Sequence, residues 1–133
     1  MVPIAQYFVG APLLANFTYI ENPRDVSLLP YALFASESVV VTDDGLSYDN
    51  QFDAMEAGAP QVQVAVSERG WPSDGNGNLT TPSIAQKYNS NLMRHVLSSH
   101  GTPRRAEKSI ETYLFAMFNE NMKPGEAVMR KIT

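Results

Sequence analysis

Hydrophobic positions along this chain change spacing from segment to segment, and the changes mark its elements. Val62, Val64 and Val66 recur at every second residue, the period of a strand. Gly70 and Pro72 then break the run, so the pattern predicts a strand over 61–68 with Glu68 at its C-terminal end. Further on, Ile84, Tyr88, Leu92 and Val96 recur near the helical period, and Ala85 and Met93 widen the stripe. That spacing predicts a helix whose apolar face packs on a sheet. Thr81 stands where an N-cap belongs, Pro82 at the first helical position, and Gly101 as the stop. The run Thr112-Tyr113-Leu114-Phe115-Ala116-Met117-Phe118 is continuously apolar after its first residue, as expected of a strand covered on both faces.

The first half of the chain is more broken. Residues 3–9 suggest a short helix stopped by Gly10, and Leu13-Leu14-Ala15-Asn16-Phe17 reads as a buried strand. Tyr31-Ala32-Leu33-Phe34 is a short apolar segment behind Pro30. Val39-Val40-Val41 reads as a strand or hairpin arm that ends at Asp43-Asp44-Gly45. A helix could start at Asp49, but Gly58 and Pro60 cut it to a turn or two. A right-handed crossover between parallel strands needs a dozen residues or so. Strand, helix and strand with polar residues at the strand ends is the pattern of a βα-barrel or a doubly wound sheet.

Composition narrows the classes. The chain has 133 residues, 44% of them hydrophobic and 18% charged, as expected of one globular domain with a core of its own. A net charge of -4 argues against nucleic acid and anionic membrane surfaces as partners. Arg104-Arg105 is a basic pair too small to hold a polyanion, and its expected place is a solvated loop. The sequence contains no cysteine, which excludes disulfides and thiolate metal sites. His95 and His100 are five residues apart, not the spacing of one helical face, so neither a metal nor another cofactor is expected. Gly75-Asn76-Gly77 is a turn and not a phosphate loop. No stretch approaches the roughly 20 apolar residues of a membrane span. The first residues lack the basic and apolar regions of a signal peptide.

Chemistry concentrates at the predicted strand ends. In parallel α/β folds that is where reacting groups are placed. Glu68 can attack or protonate, and Trp71, three residues on, offers an indole face that suits a pyranose ring. A lone carboxylate at a strand end is otherwise a solvated or salt-bridged one. Glu120 stands just past the strand predicted over 112–118, with Lys123 three residues later.

Val66-Ser67-Glu68-Arg69-Gly70-Trp71-Pro72-Ser73 resembles the nucleophile motif of plant endo-1,3-beta-glucanases, glycoside hydrolase family seventeen. Glu111 to Asn121 is similar to that family's last barrel strand. The runs Ser27-Leu28-Leu29-Pro30-Tyr31-Ala32-Leu33-Phe34 and Tyr88-Asn89-Ser90-Asn91-Leu92 match as well. The resemblance covers essentially the whole chain and corresponds to the C-terminal portion of such an enzyme, with internal deletions. It implies an α/β fold, a partial (β/α)8 TIM-barrel holding about the last three βα units, with residues 1–133 as one partial barrel domain. It also implies retaining hydrolysis, in which one carboxylate attacks the anomeric carbon and a second, about 5 Å away, protonates the leaving oxygen. By resemblance Glu68 is the nucleophile, while Trp71, Glu120, Lys123 and Asn16 line the substrate cleft. The implied partner is a 1,3-beta-glucan polysaccharide, the implied compartment secreted or vacuolar, and the implied setting plant defence.

The departures from the family are specific. Its general acid lies in a Gly-Asn-Glu-Val-like motif on an earlier strand, and no such run occurs here. A barrel of this kind takes about 250 residues. A Tyr-Pro-Tyr segment is missing after Asn16, and a helix of roughly two turns is missing between Met55 and Glu56. Arg69 replaces a small residue, and Met129 stands where a further glutamate is usual. The expectation is a truncated form with negligible glucanase activity alone, because each of two coupled carboxylates has a separate task. Self-association through open sheet edges is a further expectation. A non-catalytic glucan-binding remnant, an inactive fragment and a rearranged small layered α/β unit remain as alternatives.

Overall fold

The computed structural model describes residues 27–58, 61, 66–75, 77–115, 117, 118 and 122, with Ser67 and Glu68 described through their backbone. The helix expected over 3–9, the strand expected over 13–17, and Asn16, Glu120 and Lys123 lie outside the described residues. The chain divides into two compact units. One is Met1–Val64 with Ser99–Ser109, and the other is Ala65–Ser98 with Ile110–Thr133.

In the first unit a short helix α1, Leu29–Ala32, is opened by Pro30. It is closed by Phe34 at φ 56°, while Ala35 N–H donates back to the Pro30 carbonyl at 2.8 Å. This is the left-handed cap that ends many helices. Strand β1, Val41–Asp43, pairs antiparallel with β2, Leu46–Tyr48, as a tight hairpin. Asp44 and Gly45 both have positive φ, 51° and 77°, which gives the mirror-image turn that matches strand twist. The register sets Val41 opposite Tyr48, and both are buried in a cluster with Tyr31 and Ala54. A hairpin arm is therefore present, but as Val41–Asp43, with Val39 and Val40 exposed ahead of it.

The helix begun at Asp49 reduces to one 3-10 turn, Asp53–Glu56. Asn50 organises it: its Oδ1 accepts from Asp53 N–H, and its Nδ2 donates to Asp53 Oδ2, each at 2.9 Å. The turn leaves Glu56 0% exposed. Arg105 Nη1 meets Glu56 Oε2 at 2.6 Å, and Arg104 backbone N–H donates to Oε1 at 2.9 Å. Arg104 Nη2 also reaches Asp43 Oδ2 at 2.7 Å. Arg104-Arg105 is thus not a solvated pair. It closes the unit across its sequence gap, because a buried carboxylate needs a cation and hydrogen-bond donors to offset its lost hydration.

The second unit holds β3, Val66–Arg69, the 3-10 turn Gly77–Leu79, helix α2, Pro82–Leu97, and β4, Thr112–Leu114. Thr81 caps α2 as expected, with its Oγ1 accepting from Ile84 N–H at 3.2 Å. Ala85, Tyr88 and Leu92 are the buried positions of the apolar stripe, whereas Met93 faces out. The helix ends before Gly101, at Ser98, whose N–H donates to the Arg94 and His95 carbonyls. Strand β4 runs parallel to β3, as an α/β fold requires. It is shorter than the predicted run. Tyr113, Leu114, Met117 and Phe118 are exposed, Met117 to 85%, so the expected cover on both faces is not found. Continuous apolarity signals a tendency to be buried, and tertiary packing decides whether that tendency is met.

Candidate active site

The end of β3 is built by three constraints. The first is backbone pairing: Val66 N–H donates to the Glu111 carbonyl and Phe115 N–H to the Arg69 carbonyl, each at 2.8 Å. The second is a register shift. Val66 lies opposite Thr112 and Arg69 opposite Leu114, so β3 spends one more residue than β4 over the same span. The extra residue falls in the Ser67-Glu68 stretch. Such bulges bend a strand and re-aim what it carries, and they recur beside active sites. The third is Gly70, which ends the strand immediately after Arg69.

Trp71 follows. Its indole is 8% exposed and lies tilted against the Tyr88 ring of α2, with centroids 5.3 Å apart. Its Nε1–H donates to the Leu79 carbonyl at 2.9 Å, which ties the turn Gly77–Leu79 to the strand end. A sugar platform needs one open face, and this indole has little exposed surface. Trp71 therefore supports the strand end in this structure instead of offering a free stacking face. Tyr88 is itself buried, and its hydroxyl is hydrogen-bonded to the Arg69 side chain. Burial pushes the Tyr88 phenol above its ordinary pKa, with the Arg69 charge pulling the other way.

Of the sequence-predicted site residues, Glu68 falls within β3 one residue before its end, and Trp71 falls three residues beyond Glu68. Glu120, Lys123 and Asn16 are outside the described residues, and the structure does not relate them to Glu68. Arg69 and Tyr88 were not expected at the site. The signal for Tyr88 was its place in the helical stripe, which reads equally well as plain core. Among the described residues, no group of three or more His, Asp or Glu side chains is arranged to hold a metal ion. No helix among them is long and apolar enough to cross a membrane.

Comparisons with known proteins place this geometry. The family described as glycosyl hydrolases family 17 matches residues 2–132. A glucan endo-1,3-beta-glucosidase of Pisum sativum is 50% identical over 90% of this chain and 34% of its own length. The acidic isoform of the same enzyme from Zea mays is 48% identical over 94% of this chain and 41% of its own. Among solved structures, a beta-1,3-glucanase and allergen of Cryptomeria japonica pollen superposes with a TM-score of 0.72 at 44% identity. That match covers 88% of this chain and 38% of that one. The chain thus spans about two-fifths of the length of the relatives it matches. The family resemblance read from the Glu68 motif and the last-strand motif is borne out, and the fold is of the α/β kind. The chain belongs to glycosyl hydrolase family 17.

Proposed function

We propose that this chain carries the nucleophile half of a retaining endo-1,3-beta-glucosidase, on the last βα units of a partial barrel. The observation that supports it is the placement of Glu68: near the C-terminal end of a parallel strand, at a bulge, in a chain matched nearly end to end by the family. In this reading the Glu68 carboxylate attacks the anomeric carbon of a 1,3-beta-glucan, and the aglycone departs with the bonding electrons. Glu120, Lys123 and Asn16 contact the sugar. Residues 1–133 act as one partial domain, and open sheet edges allow copies to associate. The compartment proposed is that of a secreted or vacuolar plant glucanase.

These 133 residues contain no Gly-Asn-Glu-Val-like run to supply a general acid. The isolated chain accordingly turns over natural glucan negligibly, because an alkoxide leaving group must be protonated as it departs. A dinitrophenolate needs no proton. A dinitrophenyl β-laminaribioside should therefore release one burst of dinitrophenolate and leave a glycosyl ester on Glu68, detectable by peptide mass. Reducing-sugar release from soluble 1,3-beta-glucan should stay at background. Absence of the ester from the wild-type chain, or its persistence in Glu68→Gln, would overturn the assignment.

A further inference from the structure

The side chains around the end of β3 converge on one phenol. Tyr88 is 2% exposed and stands in the middle of α2. Its ring packs on Trp71, and its hydroxyl meets the Arg69 side chain. Trp71 in turn holds the Leu79 carbonyl. Arg69 is the residue after Glu68, and only Gly70 separates Arg69 from Trp71. A single helix side chain therefore grips the first two non-glycine residues that follow Glu68, Arg69 and Trp71.

We propose that Tyr88 is a positioning residue that fixes the backbone on which Glu68 attacks. The inference rests on the reading of Glu68 as nucleophile. Strand β3 has four residues and contains a bulge, and Gly70 is conformationally permissive. Backbone pairing with β4 alone leaves the far end of such a strand free to pivot. The Tyr88 contacts remove that freedom from the helix side. The Arg69 guanidinium has no acceptor role of its own, and its Nε is buried with no hydrogen-bond partner. The Tyr88 hydroxyl oxygen is thus an acceptor the guanidinium gives up only at a cost. In-line attack at an anomeric carbon is sensitive to misplacement, with about 1 Å worth on the order of a hundredfold in rate.

Tyr88→Phe tests this cleanly. It keeps the ring against Trp71 and removes the oxygen that Arg69 uses. With the full chain and dinitrophenyl β-laminaribioside, the rate constant for ester formation at saturation should fall on the order of tenfold. The half-saturating concentration should be unchanged. Mere loss of folded protein would lower the amount of ester and leave that rate constant alone. In an Arg69→Ser background, Tyr88→Phe should have no further effect. Hydrogen exchange at the Phe115 amide, which donates to the Arg69 carbonyl, should quicken in Tyr88→Phe. An unchanged rate constant together with unchanged Phe115 exchange overturns the proposal. If the wild-type chain forms no ester, the nucleophile reading fails. The exchange measurement then decides by itself whether Tyr88 anchors the strand end.

Discussion

Trp71 and Leu79 are joined by an indole N–H donated to a backbone carbonyl at 2.9 Å, and this bond closes the loop that leaves β3. It also defines an optical probe, because Trp71 is the sole tryptophan of the sequence. The indole is buried against Tyr88. Its emission should therefore be shifted to the blue and should resist quenching by acrylamide. Laminari-oligosaccharides should leave the emission unmoved, since no open indole face awaits a sugar. Strong quenching by acrylamide, or a saccharide-dependent shift, would show that the face is accessible.

Glu56 stands in a different situation from any surface carboxylate. It receives Arg105 Nη1 at 2.6 Å and the Arg104 amide at 2.9 Å, and the Tyr48 hydroxyl lies at 3.5 Å. Glu56→Gln removes the charge and strands the buried side of Arg105. Breaking a buried pair from one side costs about 3 kcal/mol. Urea denaturation followed by circular dichroism should show that loss. By contrast, Glu37→Gln, at an exposed position, should change stability by less than about 0.5 kcal/mol.

Two glycines with similar dihedral angles should respond differently to the same change. Gly45 has φ 77° and Gly101 φ 66°, so an alanine at either site is strained. A Cβ on Gly45 would meet nothing within 4 Å, whereas on Gly101 it would lie 2.2 Å from the Arg105 carbonyl oxygen and 2.7 Å from that of Lys108. Gly45→Ala should cost about 1 kcal/mol, the penalty of the left-handed backbone. Gly101→Ala should cost clearly more, because backbone atoms must move and Arg105 moves with them. Paired denaturation curves of the two variants give the comparison.

Alkaline pH should loosen this protein before it affects a chain with exposed tyrosines. Burial, with Asp53 and Asp49 adding to it, pushes the Tyr31 phenol well above its ordinary pKa. Burial and the Glu56 carboxylate raise Tyr48, and burial raises Tyr88. In the unfolded chain these phenols ionise near pH 10, while in the fold they keep their protons. Stability is thus fully present below about pH 10 and is lost as pH rises from there through the folded values. Melting temperature against pH should fall above about pH 10. Phenolate absorbance should rise together with unfolding, not ahead of it.

Local signals carried the sequence reading where chemistry acts over a few residues. The strand end from Val66, the Thr81-Pro82 start and the stripe through Ala85, Tyr88 and Leu92 stand in the structure, as β3 and α2, while Val62 and Val64 lie outside the described residues. Asp44-Gly45 closes a hairpin, as the sequence suggests, because its demand for positive φ is local. What failed depends on distant partners. Arg104 and Arg105 look solvated until Asp43 and Glu56 are known to face them. The apolar run around β4 looks covered in the sequence because composition says how much a segment gains from burial and nothing about what lies over it. At the candidate site, Glu68 was legible through its motif. Tyr88 was not, since a tyrosine in a helical stripe looks the same whether it fills space or steers a neighbouring strand.

The Arg105–Glu56 bond links positions 49 residues apart, and the intervening chain includes all of β3 and α2. During synthesis Glu56 leaves the ribosome several seconds ahead of its counter-charge, at about 5–20 residues per second. Through that interval a carboxylate destined for complete seclusion has no cation to meet and stays hydrated. The hairpin region can collapse early but can lock only after the arginine turn arrives, so its last step waits on translation.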